Sequence, residues 1–199
     1  MQVNLIDKID LLVIDDFLEF GYYQLLKKQI AEASIWGLRQ EISLNGEGDS
    51  KIYYGFSSYI VNEKHPDFEH YYNNDLDYTR VIKIINEKVK KSFGFKQVYR
   101  CRLDMTTYRG EDQIIFAPHI DLNGEHYTSI YHLTTCNAPT IIYNEQILSG
   151  DVPKDINLTI KEKIDAKANR LILFNGNYIH TGMCPTDVAS RILINTNYK

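Results

Sequence analysis

The chain has 199 residues, 44% of them hydrophobic and 24% charged, with a formal net charge of −4. That length can bury the core of one ordinary domain, and no repeat, low-complexity tract or Pro/Gly-rich linker divides it, so a single domain over 1–199 is expected. The acidic balance argues against a nucleic-acid footprint, and no apolar run approaches the ~20 residues of a membrane helix.

Neither end carries a cationic segment followed by an apolar stretch, and the three cysteines, Cys101, Cys136 and Cys184, form no C-x-x-C pair. A reducing, cytoplasmic setting is the simplest expectation. Leu11 to Ile14 reads as a strand. Asp16, with Glu19 three positions on, has the spacing of a capping box. Phe17, Leu18, Tyr22, Leu25, Leu26 and Ile30 then recur at helical spacing, which predicts one buried stripe through about Ala33. The segment from about Gln40 to Tyr59 holds Gly46, Gly48 and Gly55 among Tyr53, Tyr54, Phe56 and Tyr59. It reads either as an aromatic flap over an apolar ligand or as an edge hairpin packing on a sheet. A second helix is expected from about Leu76 to Phe93, with Val81, Ile84, Ile85 and Val89 inward and Gly94 as its stop. The basic residues between Arg80 and Arg102 fit the solvated side of that helix.

From Val98 the pattern changes to short apolar runs between Gly, Asn, Asp and Pro clusters. Strands are predicted near 98–107, 114–121, 127–134, 140–143, 157–164, 170–174, 178–181 and 190–197. The expected fold is mainly β: helical support over roughly 1–95 and a sandwich or jelly-roll core over roughly 96–199.

The chemistry concentrates in that second half. His119 and Asp121 in FAPHID lie two apart on an extended chain, so both point to one face while Ile120 points away. His180 follows the buried-strand run Leu171-Ile172-Leu173-Phe174, and Arg191 comes eleven positions later inside SRILIN. One carboxylate and two imidazoles are the facial triad of non-haem iron sites, which leaves the opposite coordination positions open. Zinc hydrolases use similar ligands but commonly carry both imidazoles on one helix as H-E-x-x-H, which is absent here. A buried arginine suits a bound dicarboxylate, because its planar fork pairs both oxygens of a carboxylate.

At these residues the sequence resembles the 2-oxoglutarate- and Fe(II)-dependent dioxygenases, in their prolyl 4-hydroxylase-like branch. LLVIDDFL before an amphipathic helix resembles the opening of that branch, Tyr108 matches a tyrosine of its pocket, and TSIYHL (Thr128 to Leu133) resembles a strand that there ends in Tyr-Leu. His132 stands at that tyrosine's position. The resemblance implies a double-stranded β-helix core and Fe(II) held by His119, Asp121 and His180, replaceable by Mn(II) or Ni(II). It implies 2-oxoglutarate anchored by Arg191 with Tyr108, Thr128 or His132 assisting, and O2 as co-substrate with ascorbate for maintenance. It also implies hydroxylation of a C–H bond in a peptidyl proline, amino acid or small metabolite, with release of succinate and CO2. The branch that repairs alkylated nucleic acids carries a second arginine after the first; Ile192 to Lys199 contains none. The competing reading is a cupin-like binding module without turnover.

Overall fold

A computed structural model describes residues 9–40, 54–62 and 77–199. Among them the elements follow as β1 (Leu11–Ile14), α1 (Phe20–Glu32), β2 (Gly37–Arg39), β3 (Gly55–Val61), α2 (Asp77–Phe93), β4 (Val98–Thr107), β5 (Tyr127–His132), β6 (Cys136–Gln146), β7 (Ile160–Ala166), β8 (Arg170–Asn175), β9 (Tyr178–Thr181) and β10 (Ser190–Tyr198). Seven strands form a major sheet in the order β1-β8-β5-β10-β4-β3-β2, and β7-β6-β9 form a minor one. Every pairing is antiparallel. The architecture is the mainly β jelly roll that the strand pattern predicts.

The middle of the major sheet is buried on both faces, which explains the continuous apolar run Leu171-Ile172-Leu173-Phe174 of β8. Leu171 and Leu173 of β8 face a cluster with Leu103, Ile194 and the helix residues Leu26, Ile30, Ile82 and Ile85. Ile172 and Phe174 face the other way, toward Ile130, Ile142, Tyr178 and Leu193 between the sheets. Polar side chains interrupt this second layer on β4, β5 and β10, and there the site forms.

Two helix readings need correction. The first helix starts at Phe20, and Glu19 caps it without a side-chain hydrogen bond. Asp16 has φ 50° instead of a capping conformation. The cause is tertiary: Phe17 and Leu18 donate their amides to the backbone oxygen and Oδ1 of Asn169, at 3.0 and 2.9 Å, and the Asn169 amide returns 2.9 Å to the Leu18 carbonyl. Residues held this way cannot enter a helix. The buried stripe of α1 is therefore Tyr23, Leu26 and Ile30, with Tyr22 and Leu25 nearly half exposed. On α2, Val81, Ile85 and Val89 are buried as expected and Ile82 joins them, whereas Ile84 is 41% exposed. The helix ends where expected, at Gly94 with φ 80°.

The stretch 114–121 is not a regular strand. It meets the minor sheet through two isolated bridges, Ile115 to Met183 and His119 to His180. Pro118 has no amide hydrogen to offer a ladder, so pairing resumes only at His119. Of the segment read as a flap, residues 41–53 lie outside the described residues. Gly55 to Val61 is β3, paired with β2 and β4, so Phe56 and Tyr59 are sheet residues. No helix of the described residues is long and apolar enough to cross a membrane.

Candidate metal centre

The His119–His180 bridge brings together two backbones that are distant in sequence. Each amide donates to the other's carbonyl, at 3.0 and 2.9 Å, and the imidazole centroids lie 4.8 Å apart. Asp121 completes the group: one ligand atom from each of His119, Asp121 and His180 lies within 4.8 Å of the other two. Each imidazole is oriented by the carbonyl two residues before it. Nδ1 of His119 lies 2.9 Å from the Ala117 oxygen, and Nδ1 of His180 lies 3.0 Å from that of Tyr178. A ring that donates through Nδ1 presents Nε2 as a bare lone pair. Nε2 of His180 is buried without a hydrogen-bond partner, 3.6 Å from Oδ2 of Asp121. Burial, and then the neighbouring His180, push the His119 ring down to about 4, so it stays neutral at physiological pH. An orphaned Nε2 on His180, a neutral His119 ring and an adjacent carboxylate fit a divalent cation of borderline softness.

Asp121 is held by residues that the sequence reading did not single out. Arg100 donates Nη2 to Oδ1 at 2.6 Å and Nη1 to the Asp121 carbonyl at 3.1 Å. Asn197 donates to Oδ2 at 3.0 Å, and Asn195 lies within 3.2 and 3.3 Å of the two oxygens. Burial alone would raise the Asp121 pKa; the Arg100 guanidinium overcomes it and holds the carboxyl well below its ordinary range. A signal for the two asparagines was present. Arg191, Leu193, Asn195 and Asn197 alternate along β10, so the polar face that begins at Arg191 continues to Asp121.

A cavity of about 70 Å³ runs from His119 and His180 to Arg191, between walls that include Phe116, Ile130 and Leu193. Arg191 is 4% exposed and has no acidic partner among the described residues. Its Nη2 donates to Thr140 Oγ1 at 3.0 Å, and its Nε has no partner. A Cβ on Gly182 would stand 3.0 Å from Nη1, so the absence of a side chain there makes room for the fork. Burial pulls this guanidinium down to about 10, below the ordinary arginine range but still charged at neutral pH.

The other three residues expected near the co-substrate separate. Thr128 lies at the opposite end, giving its hydroxyl to Asp121 Oδ2 at 3.2 Å. His132, on the same face of β5, is fully buried with both ring nitrogens unpartnered. Burial first, then Arg191 and Arg170, push its pKa well below the ordinary histidine value. Tyr108 is 48% exposed and does not line the cavity, because β4 has ended and the chain turns outward toward Gly110.

No family model matches the sequence, and no curated protein matches it. Solved structures do. A prolyl hydroxylase from Trichoplax adhaerens, in complex with a hypoxia inducible factor peptide fragment, is 16% identical with a TM-score of 0.58, over 98% of this chain and 86% of that one. A prolyl-4-hydroxylase from Pseudomonas putida is 11% identical with a TM-score of 0.56, over 98% and 96%. A non-heme alpha ketoglutarate dependent epimerase from nogalamycin biosynthesis is 10% identical with a TM-score of 0.63, over 97% and 78%. Across nearly its whole length, the chain has the fold of the prolyl hydroxylases and other 2-oxoglutarate-Fe(II) oxygenases.

Proposed function

We propose that the protein is a 2-oxoglutarate- and Fe(II)-dependent dioxygenase that oxidises a C–H bond of an amino acid, peptidyl residue or small metabolite. One observation carries the reading: the buried guanidinium of Arg191, in no ion pair among the described residues, opens on the same cavity as the His119, Asp121 and His180 cluster. A buried charge without an ion-pair partner is costly, so Arg191 implies an anion in the working protein. A dicarboxylate that bridges cluster and arginine satisfies both ends.

His119 and His180 would offer Nε2 to the iron, each ring fixed through Nδ1 by its carbonyl. Asp121 would add the carboxylate, with Arg100 restraining Oδ1 and the asparagines restraining the rest of the group. Arg191, steadied by Thr140, would take the distal carboxylate of 2-oxoglutarate. Phe116, Ile130 and Leu193 give the space its apolar walls. When bound, iron with 2-oxoglutarate and O2 supplies oxidative decarboxylation coupled to substrate oxidation.

The test measures Mn(II) binding and, with Fe(II) in air, succinate formation from 2-oxoglutarate. The reading expects both in the wild type and loss of both in His180→Ala with the fold retained by circular dichroism. Unchanged metal affinity in that variant overturns the ligand assignment. Tight metal and 2-oxoglutarate binding without any succinate would leave the non-catalytic cupin-like module.

A further inference from the structure

The cavity wall holds a second charged group that the triad and Arg191 do not use. Arg102 and Asp104 project from β4 into the same space as His119 and His180. Nε of Arg102 lies 2.7 and 2.9 Å from the two Asp104 oxygens, with side chains only 15% and 9% exposed. Ser57 of β3 donates to Oδ1 of Asp104 at 2.6 Å, which fixes the acid from the neighbouring strand. The arrangement spends only one of the guanidinium's donors: both Nη groups of Arg102 hydrogen-bond to no described residue. Oδ2 of Asp104 likewise accepts from Arg102 alone.

Charge counting shows what this pair lacks. Asp121 and Arg100 cancel, and Arg102 and Asp104 cancel, which leaves Arg191 as the surplus. On the proposed function, which this step rests on, a divalent ion and a dicarboxylate also cancel. One positive charge then stays enclosed without a counter-ion, an arrangement that favours one further anion. The spare Nη fork of Arg102 matches a carboxylate, and the open lone pair on Asp104 Oδ2 accepts a donor next to it.

We propose that the prime substrate is a small α-amino or α-hydroxy acid with a free carboxylate. Arg102 binds that carboxylate and Asp104 accepts a hydrogen bond from the α substituent. The pair is a specificity device, and it disfavours a residue inside a peptide, whose backbone carries no such charge.

The experiment uses the full chain loaded with Mn(II) and 2-oxoglutarate, so that binding is read without turnover. Thermal shift and isothermal titration are run with a panel of L-amino acids and 2-hydroxy acids, each beside its primary amide, and with a proline peptide blocked at both ends. At least one free acid should bind at least tenfold more tightly than its amide, and the blocked peptide should not bind. Arg102→Gln should erase that preference. Because Arg102→Gln strands Asp104, the charge-neutral pair Arg102→Gln/Asp104→Asn is measured alongside and should lose the preference too. Equal response to acid and amide, response to no free acid, binding of the blocked peptide, or a preference that survives in both variants overturns the assignment. Failure of Mn(II) or 2-oxoglutarate to bind the wild type in the same titration indicts the proposed function instead.

Discussion

Replacing Arg100 by Met tests the most heavily bonded part of the site. The side chains of Arg100 and Asp121 are 10% and 2% exposed, so the pair is shielded from solvent and salt. Removing one partner of a buried ion pair costs about 3–5 kcal/mol, because the other charge stays uncompensated. Asp121 keeps donors from Asn195, Asn197 and Thr128, which places the loss near the lower end of that range. About 3 kcal/mol lowers the melting temperature of a chain this size by on the order of 6–12 °C. The same variant should gain more from a cation than the wild type does, since the ion then becomes the counter-charge of Asp121. Differential scanning fluorimetry with and without saturating Mn(II) reads both effects. A metal-free variant melting within about 2 °C of wild type, well below that expectation, refutes the clamp. So does a smaller Mn(II)-induced rise in the variant.

Three further outcomes follow from the same geometry. Arg191→Leu should weaken 2-oxoglutarate binding roughly a hundredfold or more, the equivalent of about 3 kcal/mol, while leaving Mn(II) affinity nearly unchanged; titration of the Mn(II) form checks it. The His132 ring is held neutral in the folded protein, well below the ~6.5 of an unfolded histidine, so its contribution to stability is full above ~6.5 and lost as pH falls below it. Urea midpoints measured from pH 7 to pH 5 should therefore drop more steeply for wild type than for His132→Phe, and parallel curves contradict this. A Cβ at Gly176 would stand 2.3 Å from Cδ2 and Nε2 of the buried His126 ring, so Gly176→Ala should cost about 1–3 kcal/mol by thermal melting, and a silent substitution refutes the contact.

What the sequence discloses here depends on how far apart the cooperating residues lie. Strands β1, β4 and β9 are legible to the residue because their apolar runs end at turn residues, and β8 is read one residue short of its end. The convergence of His119, Asp121, His180 and Arg191 on one cavity is legible because these residue types, in this order, suggest a shared site. The start of α1 is not, because Asn169, far along the chain, takes the amides that a local cap would have organised. Arg100 is hidden for a similar reason. It faces Asn197 only through the antiparallel register of β4 with β10, a pairing that no local pattern encodes. Strand β2 escapes because Gly37-Leu38-Arg39 gives no alternation to read, and β3 is legible only through the edge-hairpin alternative for 40–59.

The paired amides of His119 and His180 bear on how the protein lives with scarce metal. Small zinc domains wait for their ion before they fold, and chelators denature them. Here the main chain itself sets the two imidazoles side by side, and carbonyls aim both rings. That pairing is made by backbone groups and uses no bond to an ion. A chelator would silence such a protein without unravelling it, and returning the metal would need no refolding. On the proposed function, loading would become a readout of the surrounding iron pool, reversible on the time scale of ion exchange rather than of protein synthesis.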